Sequence, residues 1–112
     1  MKKEPVIFPD FQKLDIRVGE VKDANLIEGS KKLIRLVVDL GEDYGVVDIL
    51  AGLAEYYQPQ NFIGNKYAFL ANLEPKKMAG AVSNGMILVA DTPEKPVIIP
   101  LDNNLKTGTV IR

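Results

Sequence analysis

Between the apolar runs Tyr67 to Leu73 and Met86 to Ala90 the chain sets Pro75, Gly80 and Gly85, and these three residues force the runs into separate strands. Proline has no N–H to give to a central ladder, and glycine reaches backbone angles closed to other residues. The connection Ala71 to Met86 therefore carries Lys76, Lys77, Ser83 and Asn84 between two strands. Ammonium groups attract phosphate at range, and a hydroxyl and an amide hydrogen-bond base edges or ribose, a mixture suited to RNA. A solvated hairpin connection would have much the same composition, so the residues alone leave both roles open.

The rest of the chain punctuates into short strands. Asp15 to Ala24 alternates, with Ile16 and Val18 on one side and Arg17 on the other, but Val21 follows Val18 by three residues. That slip predicts a bulge at Gly19, which bends a strand and helps a small sheet close. Leu33 to Leu40, ended by Gly41, and Val46 to Ala51 are the second and third strands. Leu53 to Tyr57 is the helix candidate, stopped by Pro59; Phe62 and Ile63 form a plug against the core. Lys66 to Leu73 and Met86 to Ala90 complete five bent strands with one short helix between the third and fourth. This all-β layout is that of a five-stranded OB-fold Greek-key barrel. Val97 to Leu101 and Thr109 to Arg112 lie beyond it as a C-terminal β extension. The expected organisation is a single domain over 1–112, with the barrel at about 11–91 and the extension at about 92–112.

Composition removes several functions. The 112 residues include no cysteine and no histidine, which excludes disulfides, thiolate metal sites, cysteine nucleophiles and the commonest metal ligand and general base. No cofactor or metal is expected, and no Gly-rich phosphate fingerprint or convincing carboxylate pair supports catalysis. A net charge of −1 argues against coating nucleic acid by bulk electrostatics. Distribution is more informative than the sum: Asp39, Glu42, Asp43, Asp48 and Glu55 follow one another without a cation, after Lys13, Arg17, Lys22, Lys31, Lys32 and Arg35. No apolar run approaches a membrane-spanning length, and the apolar stretch after Met1-Lys2-Lys3 is too short for a signal peptide, so no membrane partner and a cytoplasmic location are expected.

Several blocks in order resemble one family. Phe11-Gln12-Lys13-Leu14-Asp15-Ile16-Arg17-Val18-Gly19, Lys32-Leu33, Val38-Asp39-Leu40-Gly41, Gly52-Leu53-Ala54, Asn72-Leu73-x-Pro75-x-Lys77-Met78-x-Gly80 and Ser83-x-Gly85-Met86 are similar to the tRNA-binding OB domain. That domain is appended to many methionyl-tRNA synthetases and also occurs alone. The resemblance spans about residues 11 to 112. It implies a non-catalytic, structure-selective tRNA binder, either free-standing or an auxiliary (beta) subunit partnered with a methionyl-tRNA synthetase catalytic chain.

The resemblance implies RNA contacts at Lys32, Asn72, Lys77, Ser83 and Met86, with Lys76 and Arg35 as electrostatic neighbours. Asp15, Arg17 and Gly19 are expected to serve the scaffold, Arg17 paired to a nearby carboxylate. Ile27-Glu28, Val47, Glu74, Ala79 and Val82 depart from residues frequent in the family, and several of these departures remove polar or basic positions, so fewer phosphate contacts are expected. The resemblance also implies a homodimer, with an interface from Val6, Ile7 and Phe8 together with Val97, Ile98, Ile99, Leu101, Val110 and Ile111. Two other functions fit the same fold: an export-related, chaperone-like peptide binder using exposed apolar residues, and a pure dimerisation module.

Overall fold

Alternating burial along paired strands organises the computed structural model, which describes residues 1–112. A short helix α1 (Phe8–Gln12) leads into β1 (Ile16–Leu26), which pairs antiparallel with β2 (Ile34–Asp39); β3 (Val46–Ala51) follows on β2, and β4 (Lys66–Leu70) adds to the other side of β1. β5 (Lys76–Met78) and β6 (Ala81–Ser83) form a separate hairpin, and β7 (Met86–Ile87) returns to β4. The main sheet thus runs β3-β2-β1-β4-β7. Its two edges meet without a ladder, bridged instead by Asn84 N–H donating to the Asp48 carbonyl (2.9 Å) and Leu50 N–H donating to Ser83 Oγ (2.9 Å). The result is the expected all-β barrel of OB type.

Inside it, Ile34, Leu36 and Val38 of β2, Ile49 and Ala51 of β3, Tyr67 and Phe69 of β4 and Ile87 of β7 form one core, with Phe62 as the plug. Ile63 is exposed and takes no part in the plug. The rings of Phe62, Tyr67 and Phe69 pack in tilted and edge-on contacts, 5.7 and 6.4 Å between centroids.

The bulge lies at Lys22 and not at Gly19, because the β1–β2 register slips between Val21 and Asp23. Val18 and Val21 are both buried for a simpler reason. Val21 enters the core, whereas Val18 lies outside the core cluster, its backbone bonded to Gly108 and Thr109. Gly19 remains in regular register opposite Tyr67; a Cβ there would stand 2.6 Å from the Phe69 ring and 2.7 Å from Val38. The missing side chain lets Phe69 fill the barrel.

Leu53 to Tyr57 makes a single turn, closed by Tyr57 N–H to the Leu53 carbonyl, and does not extend into a helix. Pro59 does not terminate a helix; it opens a 3₁₀ helix, Pro59–Asn61, capped by Gln58 and Asn61. Proline suits that first position because its missing N–H has no partner there. The fifth run is divided into β7 and β8 (Ala90–Asp91), and β8 pairs with β9 (Pro96–Val97). The extension then lies along its own barrel. Leu101 N–H bonds the Lys66 carbonyl at 2.8 Å, and β10 (Val110–Ile111) pairs with the start of β1, Ile16 opposite Ile111. Gly41 and Gly108 touch there, so close that a Cβ on Gly41 would lie 2.7 Å from the Gly108 Cα. No helix is long and apolar enough to cross a membrane.

Candidate nucleic-acid interface

The connection from Ala71 to Met86 is itself structured. Lys76 pairs with Ser83, Lys77 with Val82 and Met78 with Ala81 in the β5–β6 hairpin. Ala79 and Gly80 turn it at φ values of 50° and 79°, the two left-handed positions of a tight hairpin turn. Gly85 has no positive φ; a Cβ there would meet the Leu70 carbonyl at 2.7 Å, so it permits close approach of the chain as it enters β7.

Beneath the hairpin lies an open groove of about 520 Å³. Its floor is Leu50 to Leu53, its walls include Met78, Ile87 and Val89, and Lys76, Ser83 and Met86 line it. Successive residues of a strand point to opposite faces, so Lys76 and Met78 face the groove while Lys77 lies with Val82 on the other side of the ribbon. The two adjacent lysines therefore do not share a surface. Lys32 stands at the groove's end, its carbonyl bonded by Ala54 N–H (3.0 Å), one residue beyond Leu53. Arg35 is opposite Leu50 on the outer face of the sheet. Met86 is 46% exposed and so is not a core filler.

Two expected contact residues are spent internally. Ser83 is buried, and its hydroxyl accepts from Leu50 N–H and donates to the Gly85 carbonyl at 3.1 Å. Asn72 accepts from Asp15 N–H at 2.9 Å and donates to the Lys13 carbonyl at 2.7 Å, anchoring the segment between α1 and β1. Asn84 donates to the Asp48 carbonyl from both its backbone (2.9 Å) and its side chain (3.2 Å). These amide and hydroxyl groups position the hairpin and the barrel mouth, while the free donors at the groove are cationic. The sequence gives no local signal of this, because each partner lies far along the chain.

At the barrel's other side Arg17 grips Asp15 and Asp43 and donates to the Gly108 carbonyl. Its guanidinium also lies over the Tyr44 ring, 5.4 Å from the centroid. The hydrogen bond from Arg17 holds the Asp15 carboxyl below its ordinary range, and the bond to Asp15 raises both the Arg17 guanidinium and the Tyr44 phenol. Arg17 thus has the scaffold role expected for it. Beside this cluster a groove of about 620 Å³ separates α1 from β10, lined by Phe8, Phe11, Leu14, Val110 and Ile111. Val6, Ile7, Phe8, Val97, Ile99 and Val110 are exposed; Ile98 packs against the core, and Leu101 and Ile111 are half-buried on the barrel. No group of three or more acidic side chains stands close enough to hold a metal ion.

The sequence model of the family described as "Putative tRNA binding domain" matches residues 16–110, nearly all of the barrel and its extension. The chain belongs to this tRNA-binding domain family. It is 43% identical, over its full length, to the methionine–tRNA ligase of Methanothrix thermoacetophila, of which it covers 16%. The chain thus corresponds to a small part of a much longer synthetase. Among solved structures, a methionyl-tRNA synthetase related protein from Pyrococcus horikoshii superimposes with a TM-score of 0.92 at 35% identity, covering 98% of this chain and 100% of that one. The CsaA chaperone protein of Picrophilus torridus superimposes at 0.87 with 26% identity, covering 96% and 100%.

Proposed function

We propose that the chain is a non-catalytic module that binds folded tRNA at the groove between the β5–β6 hairpin and the outer face of β2–β3. The observation that carries this reading is a groove lined by Lys76 and Met86, with the Lys32 backbone beside its floor and Arg35 opposite Leu50, in a member of the tRNA-binding domain family. Cations at its rim attract phosphates, and Met86 adapts to an apolar base or sugar surface. Lys77 adds long-range attraction from the far side of the hairpin. Ser83 acts by fixing the hairpin against β3, and Asn72 by anchoring the segment between α1 and β1. The groove has no aromatic lining on which bases could stack, which favours recognition of RNA shape over sequence.

The module acts in the cytoplasm, free-standing or as an auxiliary subunit beside a methionyl-tRNA synthetase catalytic chain, and adds tRNA affinity to aminoacylation chemistry performed elsewhere. Exposed Val6, Ile7, Phe8, Ile99 and Val110 support a two-fold homodimer formed around the α1–β10 groove. Pairing would set two modest RNA surfaces on one particle, offsetting the family cations that this chain lacks. Light scattering at micromolar concentration should give a dimer that Phe8→Asp converts to a folded monomer; a monomeric native protein rejects this assembly.

The apolar floor of the groove and the likeness to CsaA favour peptide capture as the second reading. One titration separates the two. Folded tRNA, an unfolded RNA of equal length and an unfolded polypeptide are each titrated over a salt series. The tRNA reading expects folded tRNA to bind most tightly and with a steep salt dependence. Preference for the polypeptide, unaffected by salt, would reverse the assignment.

A further inference from the structure

Arg35 is the one basic residue on the outer face of β2, and a carboxylate already stands against it. Its Nε lies 3.4 Å from Asp48 Oδ2, an ionic contact without the alignment of a hydrogen bond. Nε is buried, yet the side chain as a whole is 44% exposed and that of Asp48 41%, so the outer guanidinium nitrogens reach solvent on the sheet face that Arg35 shares with Leu50 of the groove floor. Three other carboxylates share this face by strand alternation: Glu20, opposite Asp39, stands 3.8 Å from Lys22, and the other two are committed to backbone. Asp23 accepts from Ala24 N–H at 2.9 Å and Asp39 from Gly41 N–H at 2.9 Å. Of the four, Asp48 alone stands against Arg35. Its carbonyl also receives both bonds from Asn84, so the hairpin base is tied to the same residue that holds Arg35.

Resting on the tRNA-binding reading, we propose that Asp48 is a specificity-determining residue. It occupies Arg35 and yields it only to a phosphate held at the groove by contacts made elsewhere. A half-exposed ion pair of this kind is worth little, so a competing phosphate can displace the carboxylate. Displacement needs that phosphate at high local concentration. A rigid folded RNA seated on Lys32 and Lys76 supplies it, because its next phosphate is presented intramolecularly. A flexible single strand does not, and meets the carboxylate as repulsion. Asp48 thereby penalises the wrong polyanion more than the right one, and discrimination of this kind requires a repulsive element as well as attractive ones.

A double-mutant cycle tests this: native protein, Asp48→Asn, Arg35→Gln and the double variant, each titrated with folded tRNA and with polyuridylate over a salt series. Asparagine matches aspartate in shape and leaves the carbonyl bonds to Asn84 intact, and thermal melting checks that every variant is folded. Asp48→Asn should tighten polyuridylate binding roughly fivefold, the scale of a half-exposed ion pair, and steepen its salt slope by about one unit. Binding of folded tRNA should change by less than about twofold, and both gains should vanish in the Arg35→Gln background. A gain that persists without Arg35 is general charge repulsion and overturns the proposal, as does an equal gain for both RNAs. Native tRNA binding with no effect of Asp48→Asn overturns the proposal alone. If native protein binds no tRNA, the functional reading falls and the role of Asp48 with it.

Discussion

Arg17 holds Asp15 in a fork of two hydrogen bonds, 2.7 Å from Nε and 3.2 Å from Nη2, while the same guanidinium reaches Asp43 and the carbonyl of Gly108. One cation thereby joins the start of β1, the β2–β3 turn and the C-terminal strap. Tyr44 completes the cluster by donating to Asp15 at 2.5 Å.

The pH dependence of this cluster has a definite sign. Asp15 is depressed in the fold, first by its bond from Arg17, so its stabilisation is full above the unfolded carboxylate value near 4 and is lost as pH falls through the lower folded value. Tyr44 is raised, first by its bond to Asp15, so its contribution is full below about pH 10 and is lost above that. Urea unfolding of native protein and Asp15→Asn should therefore differ by a constant amount at pH 6 to 8, with the difference shrinking below pH about 4. A difference independent of pH would reject this role for Asp15.

Gly19→Ala should overpack the barrel. Its Cβ would meet Phe69 and Val38 side chains at 2.6 to 2.8 Å, and a packed core resists added methyl groups at a cost of about 1–3 kcal/mol. The unfolding midpoint in urea reads the destabilisation directly. An unchanged midpoint would mean that the Phe69 ring can move aside.

Ser83→Ala should remove the acceptor for Leu50 N–H at the seam where the barrel closes. An orphaned buried donor costs about 1–3 kcal/mol, and amide exchange at Leu50 should quicken. Binding of tRNA should weaken as well, since Lys76 lies opposite Ser83 across the hairpin. Loss of affinity with stability and exchange unchanged would instead make Ser83 a direct contact.

Lys76→Ala and Lys77→Ala should separate the two faces of the hairpin. Removing one lysine–phosphate pair flattens the salt slope by about one unit. Lys76→Ala should show that change together with lower affinity. Lys77→Ala should reduce affinity less, because Lys77 faces away from the groove. The opposite order would move the RNA track to the outer side of the hairpin.

Strand identity was legible in the sequence wherever apolar and other residues alternate over a sufficient length. Val46 to Ala51 begins and ends as expected, and β1, β2 and β4 depart from expectation mainly at their ends. The pairing of Arg17 was legible too, through the family resemblance, and its partner Asp15 lies two residues before it, just ahead of β1. The bulge was not, because an extra residue exists only relative to a partner strand, and the β1–β2 register assigns it to Lys22. Nor was the hairpin, whose three-residue strands are too short for any periodicity to register.

The sequence by itself determined the barrel class, the family and the supply of cations, because these depend on local pattern and on which residues are present. Tertiary structure decided which groups are free to act. Ser83 finds Leu50 across 33 residues and Asn72 finds Asp15 across 57, so their polar atoms are consumed by partners that no local window contains. Lys76 and Lys77 are neighbours in sequence, yet the pleat of β5 sends them to opposite faces, and only the packed hairpin determines which of them looks into the groove.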